Sequence, residues 1–344
     1  MILALLLLAF GQDAPPPRAT ISTPADHARL DEPALETFEG LAVKRADSLY
    51  PDGTLRRRTY TCDNGAHLPL DHGPDVRWYP NREIQLRRTW IRGRQNGLFQ
   101  EWWDVGFQKA EGRFVDDQKQ GRWVTWHESG APASETDFVD GVPEGRVRTW
   151  FEDGTLASEV HWKDARLHGS AREWYGDGKP RSERTFAEGI LEGLVREWGG
   201  DGRVSLEGHY AHGREEGLWG RIEPDGTRTE EHYQAGILEG LKASWDRAGV
   251  KRSEGSYAAG KATGVHRTWS PAGKLFQEIE YAAGVPQGRW RQLRDDGSLE
   301  IEGTMQAGKR SGAWRYLRPD GSLDPQWSGV YADDRKQHDL EVPR

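Results

Sequence analysis

Apolar and polar positions along this chain recur with one long period. From Gly145 to His168 the chain reads GRVRTWFEDGTLASEVHWKDARLH. GSAREWYGDGKPRSERTFAEGILE follows from Gly169, and GLVREWGGDGRVSLEGHYAHGREE from Gly193. These are three copies of a 24-residue pattern whose opening glycines are Gly73, Gly97, Gly121, Gly145, Gly169, Gly193, Gly217, Gly240, Gly264, Gly288 and Gly312. Only the interval from Gly217 to Gly240 is one residue short. Self-similarity at this period implies stacked supersecondary units, each leaning on its neighbours.

With the opening glycine as offset 0, offset 5 is Trp78, Trp102, Trp126, Trp150, Trp174, Trp198, Ile222, Trp245, Trp269, Leu293 and Leu317. Offset 9 is glycine except in the first copy, where Arg82 stands. Offset 14 is commonly Glu, and offset 17 commonly aromatic, as in Phe138, Trp162, Phe186 and Tyr210. Two strand-like runs flank Asp-Gly at offsets 8 and 9, for example Asp153-Gly154 and Asp201-Gly202. A two-residue Asp-Gly loop between such runs is a strong hairpin signal, with positive φ at both central positions. The other connection carries glycines at offsets 20 and 24, such as Gly189 and Gly193, and suits a longer turn. Glycines this frequent argue against helix, at about 1 kcal/mol each. The expected fold is all-β: a repeat array of antiparallel β-hairpins forming an elongated, twisted single-layer meander sheet.

The register follows from the turn. With Asp153-Gly154 as the loop, Arg148 faces Glu159 and Trp150 faces Ala157. The same arithmetic pairs Arg172 with Glu183, Arg196 with Glu207, Arg267 with Glu278, and Arg291 with Glu302. Such pairs contribute ~0.2–1 kcal/mol each and serve register, so the Glu row reads as structural rather than catalytic. Tryptophans one hairpin apart, roughly 10 Å by strand spacing, cannot stack directly. The offset-12 residue, such as Ala157, is expected between them. Three copies carry Trp at offset 2 instead of offset 5 (Trp219, Trp290 and Trp314), which strict alternation places on the opposite face. Either those copies contain a bulge, or an aromatic on either face suffices.

Residues 1–11 include the apolar run Ile2–Phe10, with Ala9 and Gly11 as small residues at a cleavage site, and read as a signal peptide. The chain is thus expected to be exported to the periplasm or outside the cell. Residues 12–43 form a Pro-rich, exposed linker, and 44–338 the array of about eleven or twelve copies. The array opens with a degenerate copy near Lys44 and carries an irregular insertion, Cys62 to Asp71. At its far end Asp334 and His338 replace glycines, as a terminal cap requires, and 339–344 is a polar tail.

A net charge of −8 does not suit a nucleic-acid partner or an anionic membrane surface. The single Cys62 excludes an internal disulfide. The eleven histidines show no metal-ligand spacing; His209, His212 and His232 form the closest cluster and read as surface residues. No nucleophile elbow, phosphate loop or dinucleotide fingerprint is present, and the carboxylates repeat down the array instead of meeting once. No metal, cofactor or enzymatic activity is expected.

The sixteen tryptophans are the main candidates for function. They are either the apolar stripe that holds the array or a partly exposed binding strip. The candidate binding residues are Trp150, Trp174, Trp198, Trp245 and Trp269. Two turn pairs join them, Ile190-Leu191 and Ile237-Leu238, apolar where turns are normally polar. Those turn pairs could equally tuck under the sheet edge or contact the neighbouring turn.

The run Phe186 to Gly193, continued by Trp198, Gly202 and Glu207, resembles the variant MORN repeat, the unit of the bacterial YwqK-type antitoxin family. The resemblance implies rows of antiparallel hairpins used for protein contacts or as a scaffold. The expected function is a non-catalytic scaffold for protein–protein interaction in the cell envelope or outside the cell. Its partner is an unidentified protein, and the chain itself is a monomeric rod with an edge-to-edge dimer left open. The alternative is an envelope module that binds carbohydrate, choline or lipid headgroups through its aromatic rows.

Overall fold

The computed structural model describes residues 14–20, 35–63, 65 and 68–340. The expected signal segment, 1–11, lies outside these residues. Among the described residues there is no helix, and successive antiparallel strands pair with their neighbours in the chain. Lys44–Leu49 pairs with Leu55–Cys62 alone, and Arg335–His338 with Gly329–Ala332 alone, so the meander is open rather than closed. The fold is the expected all-β repeat of consecutive hairpins. By internal contacts the chain forms two units. The N-terminal unit runs to Pro180 and includes Ala187–Gly189; the C-terminal unit comprises Arg181–Phe186 and Ile190 onward.

The two kinds of turn are the reverse of the sequence expectation. At Asp153-Gly154 the Gly154 N–H donates to the Phe151 carbonyl (2.9 Å), and the Phe151 N–H to that of Thr155 (2.8 Å). Only Gly154 has positive φ, so this is a three-residue loop, a type I turn closed by a left-handed glycine. Asp153 contributes its carboxylate, which accepts the Thr155 N–H at 2.8 Å. That bond holds the Asp153 carboxyl below its usual pKa. The tight two-residue turns lie at offsets 19 and 20. Asp140 (φ 49°) and Gly141 (φ 81°) bridge Val139 and Val142, which face each other. Ala259-Gly260 and Ala283-Gly284 repeat this geometry.

The expected register nevertheless holds, because a second irregularity compensates. Trp150 pairs with Leu156, not with Ala157 as expected, and the register then shifts by one so that Thr149 meets Ser158 and Arg148 meets Glu159. Ala157 is the extra residue on the return strand, a β-bulge. Consequently Leu156, and not the offset-12 residue, lies between Trp150 and Trp174 in one apolar cluster. Arg196–Glu207, Arg267–Glu278 and Arg291–Glu302 are also direct cross-strand neighbours.

Those pairs extend into ladders. Glu278 accepts from Arg267 Nε at 2.9 Å and from Arg291 Nη1 of the next hairpin at 3.1 Å. Partial burial opposes ionisation of Glu278, but the two guanidinium groups outweigh it and its pKa falls. In the N-terminal unit Arg148 bonds Glu135 at 2.6 Å. Near the start of that unit Asp75 is fully buried and clamped by Arg57 (2.8 Å) and Arg88 (2.9 Å). Beside it His72, also buried, accepts the Arg92 N–H on Nδ1 (3.0 Å) and so carries its proton on Nε2, which donates to the Phe38 carbonyl (2.7 Å).

Candidate functional site

Offsets 1, 3 and 5 of each outgoing strand point to one face, and offsets 2 and 4 to the other. The second face holds an aromatic row that sequence reasoning left unassigned. Trp123 packs against Phe99 (5.4 Å between ring centroids) and Phe114 (4.9 Å), and Trp219 against Tyr210 (5.0 Å) and Tyr233 (6.3 Å). The offset-2 tryptophans therefore sit opposite the offset-5 row, and the Trp290 copy also contains a register shift, between Gln292 and Leu293. Four rings at this offset lie flat on a glycine of the preceding strand, Trp123 on Gly112, Trp219 on Gly208, His266 on Gly255 and Trp314 on Gly303, while Trp290 faces Ile279 instead. The sequence signal is a glycine followed eleven residues later by Trp or His. It crosses the boundary between copies, which is why the periodicity within a copy does not reveal it.

The offset-5 face behaves differently in the two units. In the N-terminal unit Trp150 and Trp174 are 5% exposed, and Trp78, Trp102 and Trp126 are equally buried. The residue at offset 6 helps to close this row by reaching the next copy. Tyr79 O–H donates to the Trp102 carbonyl (2.9 Å), Trp103 Nε1 to that of Trp126 (3.2 Å), and His127 Nε2 lies 3.0 Å from that of Trp150. In the C-terminal unit offset 6 is Gly199, Glu223, Asp246 and Ser270, which lack such aromatic reach, until Arg294 again reaches the next copy by donating to the Leu317 carbonyl. There Trp198, Trp245 and Trp269 are only half-buried. The unit's own cations lie over them: Arg196 over Trp198 (5.8 Å), Arg228 over Trp245 (4.3 Å), and Lys251 at 5.6 Å from both Trp245 and Trp269.

The same face of the C-terminal unit carries a second apolar row. Leu194, Leu218, Leu241 and Val265, all at offset 1, are exposed in successive copies, Leu218 by 52%. With Ile222, which takes the offset-5 position of its copy and is also exposed, they flank the tryptophans. Scattered apolar surface residues need no explanation; a row recurring copy after copy is a patch.

The turn residues play a mixed part. Ile190 and Ile237 are half-exposed, at 52% and 51%. The carbonyls of Leu191 and Leu238 accept the N–H of Gly213 and Gly260 in the next turn, both at 2.9 Å. A side chain on Gly213 would touch Ile190 Cγ2 at 3.0 Å. These pairs are thus the seat on which the following turn rests. A glutamate one residue further on completes it: Glu192 Oε2 accepts the His212 N–H (2.7 Å), and Glu239 Oε2 that of Ala259 (2.7 Å).

One stretch of the expected linker lies on the tryptophan face of the N-terminal unit. Pro16 and Ala19 are buried, Ala19 in a cluster with Val124, Trp126 and Phe107. Trp126 Nε1 donates to the Pro17 carbonyl (2.9 Å), the Ala19 N–H to the Gly130 carbonyl (2.8 Å), and the Gln108 N–H to the Thr20 carbonyl (3.1 Å). A cleft of about 510 Å³ shares Trp126 and is lined also by Trp103, Lys109 and His127. Among the described residues no group of three or more His, Cys, Asp or Glu is placed to hold a metal ion. His209, His212 and His232 thus form no such group. Cys62 is buried and unpaired.

No curated protein matches the chain. Among solved structures, the Photorhabdus luminescens Tc holotoxin pore is similar at 11% identity, over 86% of this chain and 18% of that one, with a TM-score of 0.16. The chain thus spans less than a fifth of the length of that structure's chain. A family model described as MORN repeat variant matches residues 143–164 and 167–188, two consecutive copies that contain Trp150 and Trp174.

Proposed function

We propose that this protein is a non-catalytic repeat scaffold that binds another protein, in the cell envelope or outside the cell, through the tryptophan face of its C-terminal unit. The observation that carries this reading is the paired apolar row there: half-buried Trp198, Trp245 and Trp269 beside exposed Leu194, Leu218, Leu241 and Val265. Aromatic anchors rimmed by polar groups are the composition of binding surfaces. The arginine–glutamate ladders and stacked turns occupy the repeating polar groups in building the sheet, which fits a scaffold better than a catalyst. The MORN-like copies support the same view, and the apolar run at Ile2–Phe10 supports export. The cations already over Trp198, Trp245 and Trp269 favour a protein partner over choline, whose ammonium would need those ring faces free.

The test is affinity capture from envelope extract with the natural chain and with the Leu218→Asp/Leu241→Asp double variant. Both positions are exposed, so circular dichroism should show an unchanged sheet. A specific partner retained by the natural chain and lost by the variant is the expected result. Equal retention by both would remove this face from consideration.

A further inference from the structure

The arm at Pro16–Thr20 shows, within the chain itself, what an offset-5 tryptophan can hold. It is extended, proline-containing, and bound through three backbone groups and two small buried side chains. The elements that receive it are generic to the repeat: an indole N–H at offset 5, the carbonyl of the turn glycine at offset 9, and a wall from offset 10 of the previous copy. At Trp126 these are Trp126 itself, Gly130 and Phe107.

The C-terminal unit repeats the whole set at Trp269 and part of it at Trp245, where the offset-10 residue is Thr227 and nothing lies within 4 Å of a Cβ on Gly249. Trp269 stands with Gly273 and Val250, whose Cγ1 would lie 3.4 Å from a side chain on Gly273, just as Phe107 borders Gly130. Trp245 stands with Gly249, beside buried Ala243 at the position that Val124 holds next to Ala19. Both tryptophans are half-buried, and among the described residues neither Nε1 has an acceptor.

We propose that the Trp245–Trp269 row binds an extended, proline-containing segment of a partner protein in the manner of the chain's own Pro16–Thr20. This deepens the scaffold reading and rests on it. Proline suits the role physically. Its fixed φ holds the segment extended before binding, so little conformational entropy is lost. A backbone carbonyl of the segment takes the indole N–H at the ring edge, as the Pro17 carbonyl does at Trp126, and leaves the cations over the ring faces in place.

The experiment is an NMR titration of the full chain carrying ¹⁵N-labelled tryptophan, using the blocked heptapeptide APPPRAT, the sequence of Ala14–Thr20. AGGGRAT is the control. Indole signals are assigned with Trp245→Phe, Trp269→Phe and Trp126→Phe. The expected result is a saturable shift of the Trp245 and Trp269 signals with APPPRAT, at least tenfold weaker with AGGGRAT, and persisting in Trp126→Phe. Movement of the Trp126 signal alone would mean that the peptide only exchanges with the arm, and would overturn the proposal. So would no movement, or an equal response to both peptides. If the peptide fails while Leu218→Asp/Leu241→Asp still abolishes partner capture, the scaffold reading stands and only the peptide class is wrong. If capture survives the double variant as well, both fall.

Discussion

Gly208 illustrates how one missing side chain sets an aromatic row. The Trp219 indole lies where a Cβ would be, so Gly208→Ala must displace the ring or the strand. Overpacking of this kind costs about 1–3 kcal/mol. Gly220, in the adjacent strand, has nothing within 4 Å of its would-be Cβ and no positive φ, so Gly220→Ala should be near neutral. Chemical denaturation of the two variants checks this; equal effects would mean that the ring does not depend on the glycine. Asp75 makes a second residue-scale case. Burial disfavours its charge, but Arg57 and Arg88 more than compensate and hold its pKa below the usual value. A depressed folded-state pKa stabilises above the unfolded value, about 3.9, and that contribution is lost as pH falls through the folded value. Asp75→Asn should therefore destabilise the N-terminal unit by about 3 kcal/mol at neutral pH, as a broken buried pair does. The loss should shrink towards pH 2, read as denaturation midpoints at both pH values; a pH-independent loss would assign the effect to packing. The ion-pair ladder was legible because it repeats. The Asp75 clamp was not, since it occurs once, inside the least regular copies.

At the scale of the element, the hairpins and their register are readable from periodicity, while the turn types are not. Asp-Gly satisfies both a two-residue turn and a type I turn closed by glycine, because each ends on a left-handed glycine. The true two-residue turns begin with Asp140, Glu188, His212, Ala235 and Ala259, residues without a shared turn signature. Their left-handed first position is imposed by the seat beneath it, not by their own preference. Ala259 at φ 49° is accordingly strained, and Asn tolerates that region far better. Ala259→Asn should stabilise by roughly 0.5–1 kcal/mol, the span of comparable turn substitutions. The same change at Asp225, whose φ is not positive, should bring no gain. Thermal denaturation decides between the turn assignments, since a gain at position 225 alone would restore the original one.

For the whole chain, the repeat tells where the strands are and says little about what breaks it. The arm at Pro16–Thr20 reads as a linker from composition, since a single contact between distant residues leaves no periodic trace. The contrast between buried Trp150 or Trp174 and half-buried Trp245 or Trp269 is also invisible at offset 5, where the letter is the same. It becomes legible one position later, where Tyr79, Trp103 and His127 give way to Glu223, Asp246 and Ser270. The candidate residues thus divide: Trp150 and Trp174 are buried in the sheet, Trp198, Trp245 and Trp269 are half-buried, and Leu191 and Leu238 seat turns.

The seat beneath each tight turn gives the molecule a direction. Ala259 and Gly260 hang their N–H groups on Glu239 and Leu238, both earlier in the chain, and His212 and Gly213 on Glu192 and Leu191. A nascent chain therefore meets each new turn with its template already outside the ribosome, and growth from the amino end can proceed one hairpin at a time. At these turns the dependence is one-way, whereas the Asp117 and Asp334 carboxylates accept from the Gln95 and Arg310 N–H groups upstream. Glu239→Ala should speed hydrogen exchange at the Ala259 amide downstream and leave Ala235, capped upstream by Glu216 at 2.8 Å, protected as before. Equal loss on both sides would mean that the repeats prop one another mutually, and that order of synthesis carries no advantage.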